Sequence, residues 1–253
     1  MGGVVNIITR SPLSHTLAGS GSLAAGTQGR LEGTAGLNAG RGPWSSSLNA
    51  SRREIELAPG RTTELAPGRT TDEGALAERT DVAAKLVWRP DSATSVEASV
   101  LALDERQRWL SDSYFHFGDN TQVSGRLTSA LQRGRHRFVP TLYASIFDHL
   151  ARTSTEPKPI AGDEGQSQLQ RIFEAELLYN TQLGTARSHA LDLGVEVRRD
   201  DIRAANVPGG LTASTTVEPF AQLELRAATL SVVPGVRMSW SEHWGRHVTP
   251  RLA

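Results

Sequence analysis

The sequence predicts an all-β protein folded as an antiparallel up-and-down meander, and three observations lead to that fold class. Apolar and polar residues alternate along much of the chain, which is the pattern of strands that present two different faces. No segment shows the i, i+3, i+4 apolar spacing that a long helix requires. The connections between the alternating segments are short and long in turn, as in a meander whose two ends differ.

The alternation is clearest in five segments that follow one another along the chain. They are residues 30–38, 80–89, 169–180, 190–200 and 217–226. In the second segment, Val82, Leu86 and Trp88 share one face. Asp81 and Lys85 lie on the other face, so this segment is predicted to be a two-faced strand.

The connections fall into two length classes. Short ones occur at 41–43, 90–94, 134–136, 185–188 and 227–229, and long ones at 56–74, 107–122, 153–167 and 204–216. Tight turns at one end and long loops at the other are typical of a transmembrane β-barrel in an outer membrane. A soluble sandwich has no reason to sort its loops in this way. No run of about 18 apolar residues occurs, so a transmembrane helix is excluded.

The two faces of the predicted strands allow two interpretations. An apolar face can fill a small closed barrel, whereas a water-filled or plugged lumen puts the polar face inside and the aliphatic face against lipid. Trp44, Trp88 and Tyr179 lie next to short turns, and Trp240 lies near the other end of its strand. These positions suit the aromatic girdles of a membrane barrel, although ordinary strand-end aromatics would have the same positions.

Composition and motifs narrow the functional classes. The chain has 253 residues and a formal net charge of zero, which argues against a nucleic-acid-binding protein. It has no cysteine, so disulfides and thiolate sites are excluded, and no nucleophile-elbow or P-loop motif occurs. His243 and His247 would need a third ligand to hold a metal ion, and none is evident. We therefore predict no catalytic residue, no metal site and no cofactor, which indicates that the protein is not an enzyme.

An exact repeat lies in the first long connection. The eight residues Glu56–Thr63, ELAPGRTT, recur as Glu64–Thr71, and each copy contains a Pro-Gly pair that favours a turn. We interpret the repeat as a duplication tolerated in a surface loop rather than as a binding repeat.

The start of the chain carries a family resemblance. The run GGVVNIITR resembles the end of the plug domain of TonB-dependent outer-membrane receptors. In that family this segment directly precedes the first barrel strand. The matching positions are Gly2, Gly3, Val4, Val5, Asn6, Ile7, Ile8, Thr9 and Arg10. Later, VVPGVRMSW and HVTPRLA resemble barrel segments of the same family, in the expected order.

The resemblance implies a partial transmembrane β-barrel. Residues 1–12 are expected to be the C-terminal end of the plug and the hinge, and residues 13–253 the N-terminal half of the barrel. We count roughly eleven strands, with a twelfth starting at Val248, of the about 22 in such receptors. The signal peptide, the TonB-contacting segment, most of the plug and the remaining strands are expected to be missing. Because a half-barrel leaves two unpaired edges, we expect this chain alone to be a non-functional fragment.

The function implied by the resemblance is uptake of a scarce nutrient across the cell outer membrane of a Gram-negative bacterium. The nutrient would be a ferric siderophore or cobalamin, and the expected partners are the TonB–ExbB–ExbD complex, the bound chelate and outer-membrane lipid, with no nucleic acid. A passive outer-membrane porin and a soluble β-rich ligand-binding module are the alternatives, and the plug-like run disfavours the porin.

The candidate ligand-binding residues lie in the connection WLSDSYFHFGDN. This connection is unusually aromatic for a long polar loop, and aromatic side chains can hold an organic metal chelate by stacking and apolar contact. The residues are Trp109, Tyr114, Phe115, His116 and Phe117. The alternative is that part of this run continues the two flanking strands.

Overall fold

The fold was analysed in a computed structural model of the chain. The structure describes residues 17–27, 29–57, 63–66, 69–71, 75–111, 114–156, 158, 165–184, 189–204, 209–227 and 230–252. The predicted plug-end residues Gly2, Gly3, Val4, Asn6, Ile8 and Thr9 lie outside these ranges. Within the ranges, no helix is long and apolar enough to span a membrane.

Fifteen strands are present in the described part of the chain. They are β1 (Leu17–Ala25), β2 (Leu31–Arg41), β3 (Trp44–Leu57), β4 (Thr63–Ala66), β5 (Arg69–Thr71), β6 (Ala75–Trp88), β7 (Thr94–Ser111), β8 (Tyr114–Arg133), β9 (His136–Ser154), β10 (Gly165–Leu183), β11 (His189–Ala204), β12 (Leu211–Ala227), β13 (Leu230–Val232), β14 (Pro234–Ser241) and β15 (Gly245–Leu252).

The main sheet confirms the predicted meander. Its order is β1-β2-β3-β6-β7-β8-β9-β10-β11-β12-β14-β15, and β13 pairs with β12 beside this path. Every pairing is antiparallel, and neighbours in the main sheet follow one another in the chain apart from β3 with β6 and β12 with β14. Between β3 and β6, β4 and β5 form a small separate hairpin from the repeat region. Among the described residues, β1 and β15 each pair with one neighbour, so the sheet is open at both edges. This architecture matches part of an up-and-down barrel.

The connections predicted to be short lie at one end of the sheet, although residues 242–244 form a short connection at the opposite end. Residues 42–43 join β2 to β3, and residues 134–135 join β8 to β9. Gly42 and Gly134 have φ angles of 58° and 60°, a conformation that glycine adopts without steric cost and that two-residue hairpin turns require. We call this end of the sheet the turn end and the opposite end the upper end.

One predicted long loop is wrong. Residues 107–122 are mostly strand, because β7 and β8 pair without interruption up to Ser111 and Tyr114. The ladder satisfies backbone groups that a loop of this length would leave to water. Strands β7 to β10 are 18, 20, 19 and 19 residues long, whereas about 9–11 residues suffice to cross a bilayer. The central strands therefore rise well beyond membrane thickness at the upper end.

The register separates an apolar face from a polar face. Leu48, Ala84 and Val100 lie side by side on β3, β6 and β7, and the next rung on the other face holds Ser47, Lys85 and Ser99. The aliphatic side chains are exposed rather than packed: Val100 is 52% exposed and Ile146 is 52% exposed. The buried hydrophobic residues among those described are only Val87, Phe115, Phe117 and Ala204. Contiguous exposed apolar side chains of this kind mark a surface that contacts a partner, a ligand or a membrane.

Aromatic rings border the apolar face at the turn end. The ring centroids of Trp44 and Trp88 lie 5.9 Å apart, and those of Phe138 and Tyr179 lie 4.9 Å apart. Trp240, half exposed, lies on the same face near the upper end of β14. The aromatic positions expected from the sequence thus edge one face of the sheet.

Candidate functional site

The polar face is lined by hydrogen-bonding and charged side chains at mid-height. Glu176, Glu196 and Glu218 are direct neighbours on β10, β11 and β12, and we call these three residues the glutamate rung. Arg237 on β14 donates to Glu196 at 3.1 Å and to Glu218 as well. Ser239 donates to Glu218 at 2.7 Å. A face of this kind is suited to water or to a polar partner, not to lipid.

The β7–β8 hairpin carries the candidate ligand-binding residues at its upper end. Trp109 and His116 are direct cross-strand partners on the polar face, and their rings stack with centroids 5.4 Å apart and an interplanar angle of 13°. Tyr114 precedes His116 by two residues on the same face and is 47% exposed. Thr153 on β9 lies 3.4 Å from His116 Nδ1.

The structure does not bring all five candidates together. Phe115 and Phe117 lie on the opposite face of β8, because successive residues of a strand point to opposite sides. Their rings contact each other with centroids 6.5 Å apart, and the side chains are 0% and 8% exposed. The expectation of one aromatic surface formed by all five residues is therefore wrong. The alternative, that this run continues the two flanking strands, is correct. We call Trp109, Tyr114 and His116, which share the polar face, the upper site.

The neighbours of this trio add groups that the sequence analysis missed. His149 on β9 is bonded through Nδ1 to Asn120 Oδ1 at 2.6 Å, and Asn120 donates to Glu105 at 3.3 Å. The His149 ring also stacks near Phe147, with centroids 6.3 Å apart. A period-two pattern continued through 116–122 and 147–153 would have placed these groups on the same face.

Gly118 lies between the trio and His149 on the polar face. A Cβ atom at Gly118 would lie 3.7 Å from the Trp109 ring and 3.9 Å from the His149 ring. The Trp109 and His149 rings therefore both approach the Gly118 position. The result is a continuous wall of aromatic, imidazole and amide groups on the polar face.

The chemistry of this wall is that of binding. It offers two stacked rings, a phenol and hydrogen-bonding groups that can hold a planar or polar organic ligand. No cluster of three or more metal-binding side chains occurs among the residues that the structure describes. His243 and His247 each bond through Nε2 to a backbone carbonyl oxygen at 2.8 Å, of Ala213 and Trp244 respectively.

Charged side chains lie on the apolar face above the aliphatic band. Arg52 lies 3.8 Å from both Glu54 and Glu78, and Arg199 lies 3.1 Å from Asp201. The apolar face is therefore a band, bounded by aromatic rings below and ionic groups above.

Comparison with solved structures shows which proteins share this fold. The copper transporter OprC has a TM-score of 0.69 and 14% sequence identity, covering 96% of this chain and 42% of OprC. The siderophore receptor PirA from Pseudomonas aeruginosa has a TM-score of 0.70 and 11% identity, covering 96% of this chain and 40% of PirA. The outer membrane transporter YddB from Escherichia coli has a TM-score of 0.68 and 12% identity, covering 88% and 36%.

The chain has the fold of part of an outer-membrane receptor barrel. It spans about two fifths of the length of these proteins. A scan against protein-family models finds no match, and a search of curated proteins finds none either. The resemblance in fold to TonB-dependent receptors expected from the sequence is confirmed, as is the partial barrel.

Proposed function

We propose that this chain is part of an outer-membrane receptor that takes up a scarce nutrient, with a ferric siderophore as the favoured class and cobalamin as the next. In this proposal residues 13–253 form the first half of the barrel and residues 1–12 form the end of the plug. The observation that carries the proposal is an apolar band on one face of a receptor-like barrel sheet, backed by a polar face.

The dimensions of the band support the membrane orientation. On β9 the apolar side chains run from Phe138 to Ile146, and Asp148 follows them. Eight residue steps rise about 27 Å along a strand, which a tilt of about 40° reduces to about 21 Å. The apolar zone of outer-membrane barrels is about 25 Å tall. The apolar face therefore lies against lipid, and the polar face lines the lumen.

The upper site then lies in the lumen, above the membrane, on the extracellular side. Trp109, Tyr114 and His116 would contact the nutrient there as it enters, and His149 would contribute a second imidazole to the same wall. The names of two solved neighbours, a siderophore receptor and a copper transporter, support a metal-containing substrate. Uptake would be energised by the TonB–ExbB–ExbD complex acting on the plug, and no bond of the nutrient is made or broken.

Ligand binding to the intact outer-membrane protein tests this proposal. A panel of ferric catecholate and hydroxamate siderophores, cobalamin and copper is titrated against the wild type and the variants Trp109→Ala and His116→Ala. Truncating an aromatic anchor at a binding site weakens binding about tenfold or more. Trp44→Ala, on the apolar face at the turn end, is the matched control and should bind as the wild type does.

Energy dependence separates the receptor from its two alternatives. Uptake by a receptor stops when the proton gradient is collapsed or TonB is deleted, whereas uptake through a passive porin continues. A soluble ligand-binding module would be recovered in the aqueous fraction rather than in outer membranes. Gradient-independent uptake, or recovery in the aqueous fraction, would refute the proposal.

A further inference from the structure

Three arginines form a cluster at the upper margin of the aliphatic band on the apolar face. They are Arg171 on β10 and Arg199 and Arg203 on β11, and all three are exposed. Arg171 is the direct cross-strand partner of Asp201, which lies between Arg199 and Arg203 on β11. The alternation of a strand puts residues 199, 201 and 203 on one face, so Asp201 is the ladder neighbour of all three arginines.

The cluster carries an excess of positive charge. Asp201 is already paired with Arg199, with 3.1 Å between Arg199 Nε and the carboxylate. Asp148 on β9 is the next nearest acid on this face, opposite Leu169. Among the described residues, neither Arg171 nor Arg203 forms an ion pair. Two guanidinium groups are thus available to an external anion, and guanidinium binds phosphate oxygens in a bidentate manner.

The position of the cluster identifies the kind of anion. On the same face, Phe173 is the direct cross-strand partner of Arg199 and Ile146 that of Arg171, and these side chains are 51% and 52% exposed. Val197, two residues below Arg199 on β11, is 37% exposed. These side chains form the upper edge of the apolar band. A lipid whose acyl chains cover the band therefore presents its headgroup at the height of the arginines.

A recess beside Arg203 provides room for a headgroup larger than a phosphate. It has a volume of about 410 Å³ and is lined by Ser167, Arg203, Leu211 and the glycines 209 and 210. Gly209 and Gly210 have φ angles of 77° and 72°, and a Cβ atom on either would meet open space.

We propose that the cluster of Arg171, Arg199 and Arg203 binds the phosphate groups of a phosphorylated glycolipid in the outer leaflet of the membrane. This inference rests on the proposed function, because it requires the apolar face to lie against lipid. The glycolipid would bind on the outside of the barrel, away from the nutrient site on the polar face.

Native mass spectrometry of the intact protein from outer membranes tests the inference. The probes are diphosphoryl lipid A and monophosphoryl lipid A, added in detergent to the wild type, to the double variant R171Q/R203Q and to R52Q. Each arginine at an anionic lipid surface strengthens binding about fivefold, so the double variant should lose about 25-fold in affinity for the diphosphoryl form. Arg52 is the matched control, because it lies on the same face but between two carboxylates.

Four results would overturn the inference while leaving the proposed function intact. They are equal affinity of the wild type for both lipids, unchanged binding by a correctly inserted double variant, an equal loss in R52Q, and full displacement of the lipid by millimolar inorganic phosphate. Failure of the wild type to insert into outer membranes would instead refute the proposed function, and the inference would fall with it.

Discussion

Replacing Gly194 by alanine is expected to destabilise the barrel sheet, although the same change usually stabilises a strand. Gly194 lies on the polar face of β11, directly opposite Phe220 of β12. A Cβ atom there would lie 2.3 Å from Phe220 Cε1 and 2.4 Å from Cζ. An ordinary contact begins at 3.4 Å, so the ring edge has to retreat by about 1.1 Å, the difference between 3.4 and 2.3 Å.

The magnitude follows from two costs and one gain. Forcing the Phe220 side chain from its rotamer costs about 1 kcal/mol. Losing part of the ring contact with the β11 backbone costs about 1 kcal/mol more. Gly194 has no positive φ, so alanine raises the free energy of unfolding by about 0.5 kcal/mol because it restricts the unfolded chain. The expected net loss is about 1.5 kcal/mol.

Gly125 on β8 is the matched control. It also lies within a strand, and its nearest neighbour would be the Ser99 carbonyl oxygen at 3.8 Å, an ordinary contact. Gly125→Ala should therefore gain about 0.5 kcal/mol. Urea unfolding of the intact barrel in lipid vesicles, followed by tryptophan fluorescence, measures both variants. The reasoning fails if G194A is as stable as G125A, or if Phe220→Ala does not remove the penalty in the double variant.

Two further predictions concern the hairpin and the lumen wall. Phe115→Ala should destabilise the upper part of the β7–β8 hairpin by about 3 kcal/mol because this side chain is fully buried, whereas Tyr114→Ala should cost under about 1 kcal/mol. Hydrogen exchange of the hairpin amides reports both, and equal protection in the two variants would contradict the assignment of faces. Arg237→Gln should cost about 1 kcal/mol, because the glutamate rung loses its cation, and urea unfolding should show this cost shrinking as salt is added. A cost that does not change with salt would count against an electrostatic origin.

The sequence was sufficient for the architecture because strand alternation is a local property. The meander, the tight turns around Gly42 and Gly134, and the aromatic side chains beside the turns all follow from residues near one another in the chain. The loop boundaries at 107–122 were wrong because polar and aromatic residues there suggested a loop, while the pairing of β7 with β8 continues through them.

The upper site was only partly predictable because its membership depends on register. Phe115 and Phe117 are grouped with Trp109 in the sequence because all three lie in one aromatic run, whereas strand alternation turns both phenylalanines to the other face. His149 and Asn120 lie 29 residues apart and meet only through the pairing of β8 with β9. The expected plug-end residues lie outside the part of the chain that the structure describes, and their role stays a prediction.

The continuation of β7 and β8 as a paired ladder has a consequence for how a ligand is selected. Trp109 lies in the β7–β8 ladder, and His116 lies in both that ladder and the β8–β9 ladder, so their backbone positions are set before any ligand arrives. Little ordering entropy then remains to be lost on binding, and affinity for a ligand of matching shape increases accordingly. A wall of this kind cannot adapt to ligands of different shape, so discrimination among chelates would come from rigidity rather than from closure around the ligand.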